Sequence, residues 1–294
     1  MPRIKADRRE RLIDFLRRGF PEWKPVTPKQ RLKNGLVLRN GVSARSGADL
    51  VEPEDEIEIL AKPANPANLF PAGMGAPPLD ILYADDDLLA VDKPSGLLSV
   101  ATERERHETA VHLMRLWLAG LDGRRSHDLH AAHRLDRDAS GVLLFARSLE
   151  TKRLLAASWH KFDKTYLAVV DGVPAHAEGV IEQPLWEDKG LFVRVAEGGR
   201  GESALTRYRL VRSSGRRSLL EVELGTGRKH QIRVHLAHIG CPIVGDQRYG
   251  VSKSRRLALH AARLRLIHPV TGKTVIVSAP VPPLFRRELS LGKE

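Results

Sequence analysis

Residues 130–147, His-Ala-Ala-His-Arg-Leu-Asp-Arg-Asp-Ala-Ser-Gly-Val-Leu-Leu-Phe-Ala-Arg, set one carboxylate among guanidinium groups: Asp136 lies between Arg134 and Arg137, with Asp138 beyond. Guanidinium groups at contact distance favour the ionised carboxylate and lower its pKa by roughly 1–3 units. The small residues Ala139, Ser140 and Gly141 follow, and then an apolar run over 142–146 that reads as a short buried strand. The charged part is therefore a loop at the mouth of a sheet, where chemistry is often sited. The plainer reading of Asp136 is a turn carboxylate that caps a backbone N–H.

A second informative stretch covers residues 224–250. Gly225, Thr226 and Gly227 turn a strand into a helix that Gly240 ends, with Pro242 behind it. Ile232, Leu236 and Ile239 form its buried stripe. Arg228, Lys229 and His230 stand at its amino end, where backbone N–H groups also favour anions, so phosphate binding follows from chemistry alone. His230, His235 and His238 invite a zinc reading. The stretch has no His-Glu-x-x-His and no cysteine set, which leaves capping, packing and RNA contacts for the histidines.

These loops need a frame. The 294 residues suffice for about two domains with a real core. The net charge of +12 points to a polyanionic partner, nucleic acid or an acidic membrane surface. There is no apolar run near 18 residues, and the amino terminus is polar, so a soluble cytoplasmic protein with no membrane partner is expected. Cys241 is the only cysteine, which excludes an internal disulfide and a cysteine-based zinc site.

Residues 1–48 carry 13 Lys and Arg against 4 Asp and Glu. Leu12, Ile13, Phe15 and Leu16 fit one face of a helix opening near Arg8 and stopping at Gly19. A second helical piece covers 27–33 with Thr27 as cap, residues 36–38 make a strand into the Asn40-Gly41 turn, and 56–60 alternate as a closing strand. The division expected is a small basic α/β domain over 1–62, a Pro/Gly-rich linker over 63–79 and a large domain over 80–294. In the large domain, strands are expected at 81–83, 88–91, 142–146, 164–170, around 204–210, 220–224, 257–266 and 274–277. Helices are expected at 108–119, ended by Gly120, and from 149 to about 161, capped by Ser148. Residues 178–200 read as irregular surface hairpins, and the tail beyond Pro283 as short helix or frayed chain. Strands outnumber helices and are joined largely by turns, so the fold class is α+β: a mixed, mainly antiparallel sheet with flanking helices.

Four stretches then fall into one pattern. Residues 92–98 (Asp-Lys-Pro-Ser-Gly-Leu-Leu), 133–141 (His-Arg-Leu-Asp-Arg-Asp-Ala-Ser-Gly), 164–168 (Lys-Thr-Tyr-Leu-Ala) and 226–235 (Thr-Gly-Arg-Lys-His-Gln-Ile-Arg-Val-His) resemble, in order and spacing, the RluA-type pseudouridine synthases. The resemblance spans roughly residues 80–280. Ala139 departs from it, since the family usually carries Thr there. The amino-terminal region is similar to the αL RNA-binding domain; Glu54 stands where that family usually has Gly.

The resemblance implies isomerisation of uridine to pseudouridine inside an RNA chain, by an RNA-binding enzyme that flips its target base and uses no cofactor or metal. Asp136 matches the essential carboxylate; attack on the ribose, addition to the base and removal of a ribose proton stay open as its role. Arg233 matches the basic residue that pairs with it, Ile232 an apolar floor for the base, and Tyr166 the active-site tyrosine. Arg134 matches an arginine that fills the gap left by the flipped base, a step that costs a few kcal/mol and that phosphate contacts offset. The αL resemblance favours structured ribosomal RNA over transfer RNA, with a monomer as the default. Two other readings compete: a catalytically inactive RNA-binding protein on the same fold, and a metal-dependent hydrolase built on the histidines.

Overall fold

The computed structural model describes residues 3–23, 27–33, 37–40, 42–44, 47–59, 76–103, 105–122, 128–196, 201–251, 254 and 256–291. In the basic amino-terminal region, β1 (Arg3–Lys5) and β2 (Glu10–Arg11) precede α1 (Leu12–Gly19) and α2 (Thr27–Lys33). β3 (Val37–Arg39), β4 (Val42–Ser43), β5 (Leu50–Val51) and β6 (Glu56–Ile59) follow. An antiparallel sheet runs β1-β6-β3-β4, and β2 pairs with β5. Leu12, Phe15 and Leu16 bury against Val37, Val51, Ile57 and Ile59. α1 opens at Leu12 rather than near Arg8, because Glu10 and Arg11 are taken by the pairing with Leu50 and Val51. Thr27 is the first residue of α2 rather than its cap. Glu54 sits at φ 74°, a left-handed backbone that glycine adopts at no steric cost. Gly41, and residues 63–75 of the Pro/Gly-rich stretch, lie outside the described residues.

The larger region holds β7 (Ile81–Ala84), β8 (Leu88–Lys93), α3 (Ala110–Asp122), β9 (His130–Ala131), β10 (Ser140–Ala146) and α4 (Leu149–Ser158). A 3-10 turn, Trp159–Lys161, leads into β11 (Asp163–Asp171), β12 (Glu178–Ile181), β13 (Leu185–Glu187), β14 (Val193–Val195), β15 (Thr206–Ser214) and β16 (Arg217–Leu224). α5 (Gln231–His238), β17 (Leu259–Ile267), β18 (Thr274–Ser278) and α6 (Pro283–Leu291) complete it. A ten-stranded sheet runs β12-β15-β16-β11-β17-β10-β8-β7, with β18 on β17 and β9 on β10; β13 and β14 form a separate hairpin. Among the described residues only β10 and β17 pair in parallel, so the sheet is mixed and mainly antiparallel and the fold is α+β.

The middle of the sheet is covered on both faces. Leu89, Val91, Leu143 and Phe145 face a core with Met114 and Leu118 of α3, Ile232 and Leu236 of α5 and Phe285 of α6. Leu88, Ala90, Val142 and Leu144 face a second core with Leu155 of α4, Phe162, Leu264 and Val277. Two buried faces are why β10 reads as a continuous apolar run instead of an alternation. Gly141 is demanded by the parallel contact: its φ is 109°, and a Cβ there would lie 2.2 Å from the carbonyl oxygen of Ala261. Ser148 Oγ accepts from Thr151 N at 3.0 Å and caps α4.

Three sequence expectations need correction. α3 runs through Gly120 to Asp122, since an isolated glycine costs a helix only about 1 kcal/mol. Residues 178–181 are the edge strand of the main sheet, whose mostly exposed side chains disguise it. α5 is buried from Gln231 to Leu236, not along one stripe.

Candidate active site

The loop from β9 to β10 carries Asp136, and a second turn clamps it. Lys93 is wholly buried at the end of β8, and its Nζ donates to the carbonyls of Pro94 (2.8 Å), Leu97 (2.8 Å) and Arg137 (3.1 Å). Ser95 Oγ donates to Asp138 O at 2.7 Å, and Ser99 Oγ both donates to Leu135 O and accepts from Leu135 N at 2.9 Å. Gly96 N donates to Arg137 O, and Arg137 Nε returns to Gly96 O, each at 2.9 Å. A Lys-Pro-Ser-Gly turn that looks unremarkable in sequence thus fixes the residues after Asp136, and Ser99 beyond it fixes the residue before. Burial pushes the Lys93 ammonium down to about 8, against the opposing pull of Asp138 and Asp136.

Arg233, on α5, is the partner of Asp136. Its Nη1 donates to Asp136 Oδ2 at 3.0 Å, while Nε and Nη2 make a two-pronged bond to Asp246 at 2.7 and 2.8 Å. The Asp246 side chain is fully buried; its Oδ1 also accepts from the backbone N–H groups of Arg248 (2.9 Å) and Tyr249 (3.1 Å). Burial opposes the charge on both groups. Their contact and the backbone donors win, so the Asp246 carboxyl lies below the usual range and the guanidinium of Arg233 above its own. Arg233 is thus anchored from behind, with one edge presented to Asp136. Among the described residues Asp136 Oδ1 takes no hydrogen bond, and the side chain is 26% exposed.

Tyr166 enters from β11 at an irregularity in its pairing with β17, between Thr165 and Tyr166, the kind of kink that re-aims a side chain. Burial, and then the nearby Asp136 charge, push its phenol up, so it remains protonated and can donate but not act as a resting base. These groups line one side of a cleft of about 320 Å³. Ile232, Leu224 and Leu259 supply apolar surface, and Arg134, exposed, lies at the edge. His133 stacks on Trp159 with centroids 4.7 Å apart, and its Nε2 accepts from Leu144 N at 3.1 Å. Burial, with Lys164 adding to it, pushes His133 down to about 4, so it is a neutral wall.

The structure brings Asp136, Tyr166, Arg233 and Ile232 together and puts Arg134 beside them. Arg137 turns away to Gly96, so the guanidinium beside Asp136 comes from Arg233, 97 residues on, rather than from the neighbours in sequence. Arg228 pairs with Glu202 at 2.5 Å, Lys229 with Glu187, and His230 Nδ1 meets Tyr249 Oη at 2.9 Å. His230 Nε2 lies 4.0 Å from Asp136 Oδ2. The three histidines do not converge: His235 is buried between Thr206 Oγ1 and Gln183 O, and His238 is exposed. Among the described residues the group spaced for a metal is Asp85, Asp87 and His268, outside the cleft. His268 is already satisfied there: Nδ1 accepts from Val270 N and Thr271 N, which leaves Nε2 to donate to Asp85 Oδ2 at 3.0 Å. Asp246, Tyr249, Gln231 and Lys93 were not picked from sequence as site residues. Gln231 ties the Thr226–Arg228 loop to β15 by bonding Thr226 Oγ1, Arg228 N, Leu205 O and Thr206 Oγ1.

Residues 87–238 match a family model described as RNA pseudouridylate synthase. The chain is similar to the ribosomal large subunit pseudouridine synthase D of Xanthomonas campestris pv. campestris, 32% identical over 299 residues, covering 94% of this chain and 86% of that protein. It is likewise similar to the ribosomal large subunit pseudouridine synthase D of Zymomonas mobilis subsp. mobilis, 34% identical and covering 86% of each. Among solved structures, human RNA pseudouridylate synthase domain containing 4 shares the fold, with a TM-score of 0.61 and 24% identity over 73% of this chain and 93% of that one.

Proposed function

The chain belongs to the RluA-type RNA pseudouridine synthase family and isomerises uridine to pseudouridine in RNA, and on that premise we propose that ribosomal RNA is its substrate and Asp136 its essential carboxylate. Arg233 anchored between Asp246 and Asp136 carries this reading. The reaction breaks the bond from ribose to N1 of the base and forms one to C5; C5 loses its proton and N1 gains one, so no atoms or electrons are gained or lost overall. It therefore needs an aimed carboxylate, a surface on which the freed base can turn, and exclusion of water.

Arg233 fixes one oxygen of Asp136, which leaves Oδ1 directed at the reacting nucleotide. Tyr166 and Ile232 hold the uracil between them, and the neutral phenol donates to whatever charge develops on the ring. Arg134 takes the space in the RNA that the flipped base vacates. The Arg228–Glu202 and Lys229–Glu187 pairs are exposed, and such pairs cost little to exchange for a phosphate. Residues 1–62 act as a basic RNA-gripping domain and residues 80–294 as the catalytic domain. Two of the relatives are named for the large ribosomal subunit, which supports ribosomal over transfer RNA.

The decisive experiment is tritium release from ribosomal RNA labelled at C5 of uridine. Release by the wild type, with none from a folded Asp136→Asn variant, is the expected result. Binding without release by the wild type, on ribosomal and on transfer RNA alike, would return the chain to an inactive binding protein. Deletion of residues 1–62 should weaken RNA binding while sparing the single-turnover rate on a saturating fragment; equal loss of both would argue against separate roles.

A further inference from the structure

A second recess, of about 330 Å³, lies where the chain enters the catalytic loop. Arg106, Arg115 and Lys152 line it, with His112 and His130 between them, and among the described residues no carboxylate does. Of the acids close by in sequence, Asp128 lies 2.5 Å from His130 Nε2, and Glu105, beside Arg106, accepts from the backbone N–H groups of His107 (2.8 Å) and Glu108 (2.9 Å). Two other recesses carry acids among their bases. The one on β12, β15 and β16 sets Glu178, Glu221 and Glu223 against Arg207 and Arg209, and the one beside β13 balances Glu187 and Glu202 with Arg228 and Lys229.

Three elements run from this recess into the catalytic cleft. On β9 and the loop after it, His130 and Ala131 face the recess while Ala132 and His133 face the cleft. On α4 and its 3-10 extension, Lys152 lines the recess and Trp159 the cleft, about 10 Å apart at 1.5 Å per residue. Val100 lines the recess next to Ser99, whose hydroxyl bonds both backbone groups of Leu135, the residue before Asp136. Arg115 is pinned in place, since its Nε donates to Leu129 O at 2.8 Å. A polyanion crossing the cleft therefore meets fixed positive charge one step further along the same walls.

We propose that this recess seats backbone phosphates of the RNA strand that carries the target uridine. The proposal rests on the catalytic reading of the cleft. Its contribution is affinity and alignment, because phosphate contacts position a strand without reading its sequence.

The test uses the full-length protein with the double reversal Arg106→Glu and Lys152→Glu, both at exposed positions that folding tolerates. The double reversal Arg212→Glu and Lys273→Glu, equally exposed and outside the recess, is the control. Dissociation constants for a ribosomal RNA fragment are measured across a salt series, alongside single-turnover C5 tritium release at saturating RNA. Affinity should fall roughly tenfold or more for the recess variant, and its log–log salt slope should flatten by about 1.5, the loss of two phosphate contacts. Its rate at saturation should match the wild type, and the control should bind nearly as well as the wild type. Unchanged affinity and slope, or equal weakening in the control, would overturn the recess. Wild-type release alongside unchanged binding by the recess variant would sink this proposal alone. Absence of wild-type release would sink the catalytic reading, and the binding comparison would still judge the recess.

Discussion

Arg233 and Arg18 each grip two carboxylates, in regions that use charge for opposite ends. Arg233 is 8% exposed and joins Asp246 to Asp136. Arg18, on α1, is 40% exposed and joins Asp7 to Glu10, each at 2.5 Å. In the buried pair, water cannot replace a missing partner, so removal of one member leaves a stranded charge at a cost of roughly 3–5 kcal/mol. In the exposed pair, water and salt stand ready and the contact contributes little. Burial thus turns an ion pair into a positioning device, and exposure keeps it exchangeable for water or other ions. Both regions are basic; only one needs its cations immobile.

The contrast is broken or sharpened by substitutions on either side. Arg233→Met should have the largest effect, a loss of roughly 10³-fold or more in single-turnover tritium release. A variant within tenfold of the wild type would show that Asp136 needs no fixed cation. Asp246→Asn keeps the shape and the Arg233–Asp136 contact but removes the anchor. A rate loss of about 10–100-fold at saturating RNA, with KM little changed and a melting temperature lower by several degrees, is expected. A pure KM effect would assign Asp246 to binding.

Lys93 tests burial through pH. Its native value of about 8 lies below the ordinary 10.5, so between these values the unfolded chain holds more protons than the native one. Stability contributed by this group therefore rises with pH across that window, by an amount on the order of 3 kcal/mol at most. The difference in melting temperature between wild type and Lys93→Met should widen from pH 8 towards 10.5. A difference that stays flat would mean Lys93 remains charged in the fold. The smallest effect belongs to Arg18→Ala: melting temperature and saturated rate nearly unchanged, and RNA affinity down by about two- to fivefold in low salt. A large fall in melting temperature would erase the distinction between the two pairs.

The family and its reaction were legible where several motifs constrained one another. Four stretches in a fixed order singled out Asp136, Tyr166 and Arg233, which the fold brings into one cleft, and β10 was legible from its apolar run. The local electrostatics were not. Arg134 and Arg137 are neighbours of Asp136 along the chain, yet a loop need not point neighbouring side chains the same way, and Arg137 is spent on Gly96. Asp246 lies between Gly245 and Gln247 and reads as a turn residue. Only the fold shows that it is buried and two-pronged to Arg233. β1 and β12 escaped notice because edge strands of three and four residues are too short to show an apolar alternation.

β17 holds no residue of the proposed chemistry, yet it stands between β10, which follows Asp136, and β11, which bears Tyr166. It is also made late: Ser140 meets His260 across 120 residues of chain. Contacts of that separation close slowly, after loop entropy has been overcome. During synthesis, the chain therefore acquires Asp136, Tyr166 and Arg233 before it acquires the strand that stands between β10 and β11. A ribosome-bound chain halted short of residue 259 would hold Asp136, Tyr166 and Arg233 and yet lack the strand that stands between β10 and β11.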